Sequence, residues 1–169
     1  MILCKTPLRV SLFGGGTDFP TWFNKNGGMT ISIAIDKCCY ILLRELPKIF
    51  PFKYRLRYFK TETSKNVSNI RHPSIKAILK KYNISDCNFE IYHSSDIPGL
   101  SGLGSSSAFT VSLINSIHSW NSIILGKKEL SKKAIYVERK LLKESVGHQD
   151  QYSTTFGGFN VIKYSKKKN

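Results

Sequence analysis

The sequence predicts an α+β domain, and three observations carry that prediction. Strand-sized runs of β-branched or alternating apolar residues recur at residues 8–12, 30–35, 38–44, 54–59, 88–93 and 159–164. Three other stretches, beginning near residues 73, 108 and 130, space their apolar residues as a helix does. The two kinds interleave in the order β-β-β-β-α-β-α-α-β, with no internal repeat and no interior linker.

The elements follow in order. Leu8-Arg9-Val10-Ser11-Leu12 reads as a strand that stops at the glycine cluster Gly14-Gly15-Gly16. Gly27-Gly28 marks a second turn before the strands at 30–35 and 38–44. Pro47 and Pro51 punctuate the loop ahead of the basic strand 54–59, which alternates with period two. Pro73, just after His72, suits the first turn of a helix whose apolar face is Ile75, Ile78, Leu79 and Tyr82. The strand at 88–93 runs into a Gly/Ser-rich segment and then a helix bearing Ala108, Val111, Ile114 and Ile117. Leu130, Ala134, Val137 and Leu141 share one face of a helix over 130–143, and Gly157-Gly158 turns the chain into the last strand.

Bulk properties bound the function. At 169 residues, 41% hydrophobic and 12% aromatic, the chain has the material for about one domain with its own core. Its longest apolar runs, such as Ile31-Ser32-Ile33-Ala34-Ile35, are far short of a membrane span. The first residues lack the charged-then-apolar layout of a secretory signal. Cys4, Cys38, Cys39 and Cys87 show no Cys-x-x-Cys spacing, so reduced thiols in a cytoplasmic protein are expected, with no zinc or disulfide framework. The net charge of +15 would draw anions. Its lysines alternate with core-type residues, which favours a lysine-rich surface over nucleic-acid binding. Tyr54, Tyr58 and Phe59 among Arg55, Arg57 and Lys60 keep an RNA-binding strand open as an alternative.

Chemistry concentrates in Pro98-Gly99-Leu100-Ser101-Gly102-Leu103-Gly104-Ser105-Ser106-Ser107-Ala108. A glycine-rich loop feeding a helix start collects free backbone N–H groups where the helix dipole favours negative charge. Gly102, Leu103, Gly104, Ser105, Ser106 and Ser107 therefore read as a phosphate-binding loop, and the hydroxyls could also ligate a hard cation such as Mg²⁺. It is not a Walker loop, because no Gly-Lys-Ser/Thr follows. Three acids accompany it. Asp18 follows Gly15, Gly16 and Thr17 in a turn, where it could accept from sugar hydroxyls or simply cap the turn. Glu138 lies mid-helix beside Arg139 and Lys140, a pattern that also fits a surface charge pair. Asp150 sits among amides in Val146-Gly147-His148-Gln149-Asp150-Gln151-Tyr152, as a loop or cap residue would.

Taken together, these segments resemble the GHMP kinases, a superfamily of small-molecule kinases. The superfamily signature Pro-x-x-x-Gly-Leu-(Gly/Ser)-Ser-Ser is reproduced by residues 98–106. The branch acting on D-glycero-α-D-manno-heptose 7-phosphate is the most similar. It is matched by Thr6-Pro7-Leu8-Arg9-Val10-Ser11, Phe13-Gly14-Gly15-Gly16-Thr17-Asp18-Phe19-Pro20, Ile35-Asp36-Lys37, Lys60-Thr61-Glu62, His72-Pro73 and Gly157-Gly158-Phe159-Asn160.

The resemblance implies a ribosomal protein S5 domain 2-like fold, a mixed sheet with its helices on one face, over residues 1–165, with a basic tail at 166–169. It implies ATP phosphates on Gly102 to Ser107, Mg²⁺ held by Ser106 or a neighbouring hydroxyl and by Glu138, and Asp150 as catalytic base. Arg9, Gly15, Gly16, Thr17 and Asp18 match the substrate-binding stretch. The implied reaction is ATP-dependent phosphorylation of the heptose 7-phosphate to the 1,7-bisphosphate, on a route to nucleotide-activated heptose for surface polysaccharide. A fucokinase-like sugar kinase and a non-catalytic RNA-binding module are the alternatives. Expected partners are ATP and a sugar phosphate, without specific nucleic acid or membrane, and a homodimer is left open. Family members continue into a second domain with a third glycine-rich signature. Nothing in these 169 residues corresponds to it, so little activity is expected of the chain alone.

Overall fold

The computed structural model describes residues 1–82 and 87–167; the last two residues of the expected basic tail lie outside the described residues. Six strands form one sheet: β1 (Ile2–Phe13), β2 (Gly28–Glu45), β3 (Tyr54–Arg57), β4 (Thr61–Ser64), β5 (Phe89–Ser95) and β6 (Phe159–Tyr164). The strand order is β1-β2-β5-β3-β4, with β6 alongside β2. β3 and β5 run parallel and the other pairs antiparallel, so the sheet is mixed. The helices are α1 (Pro20–Asn26), α2 (Pro73–Lys81), α3 (Ser105–Trp120), α4 (Lys127–Tyr136) and α5 (Gln149–Phe156). None of them is long and apolar enough to cross a membrane.

The α+β class stands, while several elements differ in extent. The strands expected at 30–35 and 38–44 are one 18-residue strand, β2. The register against β1 jumps from Pro7↔Cys38 to Arg9↔Ala34, so the break between the two apolar runs is a bulge and not a turn. β2 is long because its far edge is shared, by β6 over Gly28 to Ile33 and by β5 over Cys39 to Glu45. The basic strand ends early, at Arg57, and the chain doubles back into β4. Three elements had no apolar signal: α1, β4 and α5. The helix expected over 130–143 is α4 followed by a π-helical turn over Val137–Leu141, closed by Leu142 N–H donating to the Val137 carbonyl at 2.9 Å.

α3 is the central helix. Leu113, Ile114 and Ile117 are fully buried in one cluster with Leu8, Ile41, Leu43, Leu56 and Ile91 from alternate positions of the sheet strands. Each such side chain contributes about 1.5–3 kcal/mol of burial free energy. The opposite sheet face is open, and Phe13, Phe159 and Val161 stand exposed there. On that face Glu90 is buried beneath Arg44 and Arg55, which both bond it. Two of the basic residues around the RNA-like strand are therefore engaged with an internal acid.

Phe109 of α3 is flanked by two imidazoles. His72 stacks on it at 5.1 Å between centroids and His93 meets it edge-on at 5.0 Å. Burial lowers the pKa of both below the ordinary 6.5, and the proximity of His72 lowers His93 further. The neutral His72 ring also accepts from Ile75 N–H at the start of α2. The unfolded chain thus binds these protons more readily than the folded one. Their contribution to stability is full above pH 6.5 and is lost as the pH falls through the folded values. A ring-proton NMR titration is expected to place both midpoints below 6.5. Midpoints at or above that value would contradict the packing.

Candidate active site

The glycine-rich loop after β5 delivers the chain to α3 through Gly104, whose φ of 75° and ψ of 23° are left-handed. A Cβ there would lie 3.3 Å from Arg9 Cγ, so glycine satisfies both the torsion and the close approach of Arg9. Beyond it the first-turn N–H groups of α3 have no intrahelical partner and open toward the loop. Ser106 is exposed at this end, whereas Ser107 is buried.

Arg9, on β1, ties the loop to the acid expected as base. Its Nη1 donates to the Gly102 carbonyl at 2.7 Å, and its backbone N–H donates to the Leu103 carbonyl at 3.0 Å. Its Nε and Nη2 donate to Asp150 Oδ1 at 2.9 and 2.6 Å. The Arg9 side chain is 10% exposed and that of Asp150 33%, so the carboxylate remains reachable from solvent. Asp150 lies in the first turn of α5 and not in a loop, and its charge complements the helix dipole there.

Asp18 is a buried anchor. Its Oδ2 accepts from Gln149 N–H at 3.0 Å, which caps α5 from across the chain, and its Oδ1 accepts from Gly16 N–H at 3.1 Å. Its carbonyl also accepts from His148 N–H at 3.1 Å. Thr17 turns inward, with Oγ1 donating to the Gly14 carbonyl at 2.8 Å. Of the expected substrate stretch, Gly15 and Gly16 are exposed, while Arg9, Thr17 and Asp18 bond within the chain.

Glu138 is no surface charge. The π-helical turn places it 1% exposed, and neither Arg139 nor Lys140 pairs with it; Arg139 donates to the Val146 carbonyl instead. Its Oε2 accepts from Ser107 Oγ at 3.0 Å and from Gln151 Nε2 at 2.5 Å, while Oε1 is buried without a partner. Burial pushes its pKa up to about 7, against the opposing pull of Gln151, Ser107 and Thr110. The serine bonded to Glu138 is thus Ser107, one residue on from the expected Ser106.

Among the described residues no three His, Cys, Asp or Glu gather as a metal site. A lone carboxylate with an orphaned oxygen, close to serine hydroxyls and a phosphate-type loop, does fit Mg²⁺, which commonly takes one or two carboxylates and completes its shell with phosphate oxygens and water. Gln149 and Gln151 were missed as site residues. Gln149 bonds Ser11 at 2.8 Å and Gln151 is fully buried beside Glu138. Their one sequence signal is that both amides flank Asp150.

Comparison with known proteins bears on the family and the fold. The family profile described as the GHMP kinases N-terminal domain matches residues 69–158. A D-glycero-alpha-D-manno-heptose 7-phosphate kinase from Campylobacter jejuni is 34% identical over 99% of this chain and 52% of its own length. The crystal structure of a D-glycero-D-manno-heptose 1-phosphate kinase from Bacteroides thetaiotaomicron superposes with a TM-score of 0.86 at 28% identity, over 98% of this chain and 57% of that one. The mevalonate kinase of Methanococcus jannaschii superposes with a TM-score of 0.76 at 25% identity, over 99% of this chain and 56% of that one. The chain spans about half the length of the curated heptose-phosphate kinase it matches. With the signature loop, the fold and the profile in agreement, the chain belongs to the GHMP kinases.

Proposed function

We propose that this domain contributes the phosphate loop and the catalytic carboxylate of an ATP-dependent sugar kinase, with D-glycero-α-D-manno-heptose 7-phosphate as acceptor. The observation that carries the reading is the Arg9 bridge, which holds the Gly102 carbonyl and Asp150 Oδ1 from a single guanidinium. Phosphoryl transfer needs a donor phosphate and an acceptor hydroxyl held in line, and this bridge couples the two binding elements. The relatives' names support a heptose phosphate as the acceptor.

In this reading the α3 N-terminus and the N–H groups of residues 102–107 hold the phosphates. Asp150, oriented by Arg9, accepts the proton of the sugar hydroxyl, a poor nucleophile without such help. The exposed turn at Gly15 and Gly16 faces the sugar, and Thr17 and Asp18, which takes the Gly16 N–H, hold that turn in place beside Arg9. Glu138 and Ser106 would hold Mg²⁺, which supplies neutralisation of phosphate charge when bound.

Titration calorimetry with Mg-ATP tests the loop. Saturable binding is expected for the wild type and none for Gly104→Val, because the β-branched side chain meets Arg9 and resists the left-handed torsion. Wild-type affinity in Gly104→Val would remove the loop from phosphate binding.

A further inference from the structure

Gln151 is a buried side chain that touches both Ser107 and Glu138. It is fully buried, and its Nε2 donates to Glu138 Oε2 at 2.5 Å and to Ser107 Oγ at 3.2 Å. Ser107 Oγ in turn donates to the same Oε2 at 3.0 Å. Two donors therefore converge on one carboxylate oxygen, and the other, Oε1, is left buried and without a partner. Gln151 Oε1 is likewise buried and without a partner. The buried Thr110 hydroxyl also lies beside this carboxylate but makes no hydrogen bond like those that Gln151 and Ser107 make to Oε2, so Oε1 keeps the capacity to take a cation.

We infer that Gln151 is the positioning residue for the divalent cation: its amide fixes the rotamer of Glu138, so that Oε1 faces the cation with its orientation already set. The inference rests on the metal reading proposed above. A carboxylate on a free side chain loses rotamer entropy when it binds a cation, whereas one pinned through Oε2 has already lost it on folding. The same arrangement is used where hydrogen bonds behind a ligand orient it, and removing such a partner typically costs about 10–100-fold in metal affinity. Gln151 also follows Asp150 directly on α5, so its anchorage to Glu138 ties the metal carboxylate to the element that carries the base.

Mn²⁺ binding, read from the EPR signal of the free ion in the presence of a non-hydrolysable ATP analogue, tests the assignment without any turnover. Gln151→Met keeps the volume and removes the donor. It is expected to weaken Mn²⁺ about tenfold. Gln151→Glu keeps the length but offers Glu138 no N–H, and is expected to weaken Mn²⁺ in the same direction. Ser107→Ala, a smaller change to the fold, removes the second donor and is expected to give a smaller loss. Thermal unfolding of the same samples identifies variants that remain folded. Unchanged or tighter Mn²⁺ binding in folded Gln151→Met or Gln151→Glu overturns the inference. Glu138→Gln separates the two claims. If it leaves Mn²⁺ binding intact, the metal reading itself fails. If Glu138→Gln abolishes binding while the Gln151 variants do not, only the positioning role fails.

Discussion

Asp150→Asn is expected to cut phosphoryl transfer to heptose 7-phosphate by about a hundredfold or more while nucleotide binding is retained. The measurement belongs in a kinase of the relatives' full length that contains this domain, because these 169 residues cover about half of such a protein. The substitution is nearly isosteric, and the amide oxygen can still accept from Arg9 Nε and Nη2. What it removes is the ability to take a proton. ADP release coupled to the sugar phosphate gives turnover, and calorimetry gives nucleotide affinity. Near-normal turnover would leave a mechanism of positioning alone. Loss of nucleotide binding together with turnover would make the carboxylate a brace for the loop, acting through Arg9.

Gly147→Ala should produce a large loss of stability. A Cβ at that position would lie 1.7 Å from Asp18 Oδ2 and 2.3 Å from its Cγ, contacts no side chain tolerates. The carboxylate cannot step aside cheaply, because it is 6% exposed and holds the N–H groups of Gly16 and Gln149. Displacing it uncaps α5 and leaves the buried Gln149 N–H without a partner, at about 1–3 kcal/mol besides the steric strain. Urea unfolding measures the loss. Asp18→Gly in the Gly147→Ala background removes the clash, so the double variant should be more stable than the sum of the two single losses predicts. Additive losses would show that the carboxylate does not meet the new methyl.

The sequence revealed elements that bury apolar residues at a regular period. α3 and the paired strands were legible because Val111, Ile114 and Ile117 share a helical spacing and Ile31, Ile33 and Ile35 a strand spacing. α5 was not, because Gln149, Gln151, Ser153 and Thr154 are polar residues buried by hydrogen bonds, which hydropathy does not register. The burial of Glu138 was not legible from its neighbours for a related reason. Basic neighbours suggest a solvated face on a regular helix, and a π-helical turn rotates that face inward. The phosphate loop and the three acids were visible as residues. Their joining was not, since Arg9 was expected to face a sugar and instead spans Gly102 and Asp150.

The contacts that assemble the site are among the most distant in the chain. Arg9 meets Asp150 across 141 positions, Ser11 meets Gln149 across 138, and Asp18 meets Gln149 across 131. On a ribosome adding about 5–20 residues per second, Arg9 waits roughly 7–28 s for its carboxylate to be made. Through that interval the Arg9 guanidinium can reach Gly102 once the loop is made but has no carboxylate to meet, so the loop has no link to α5. β1 to β5 and α3 can collapse before then, since their residues are already present, while β6 follows α5. A nascent chain arrested before α5 would therefore carry the signature loop without Asp150 or its bridge to Arg9.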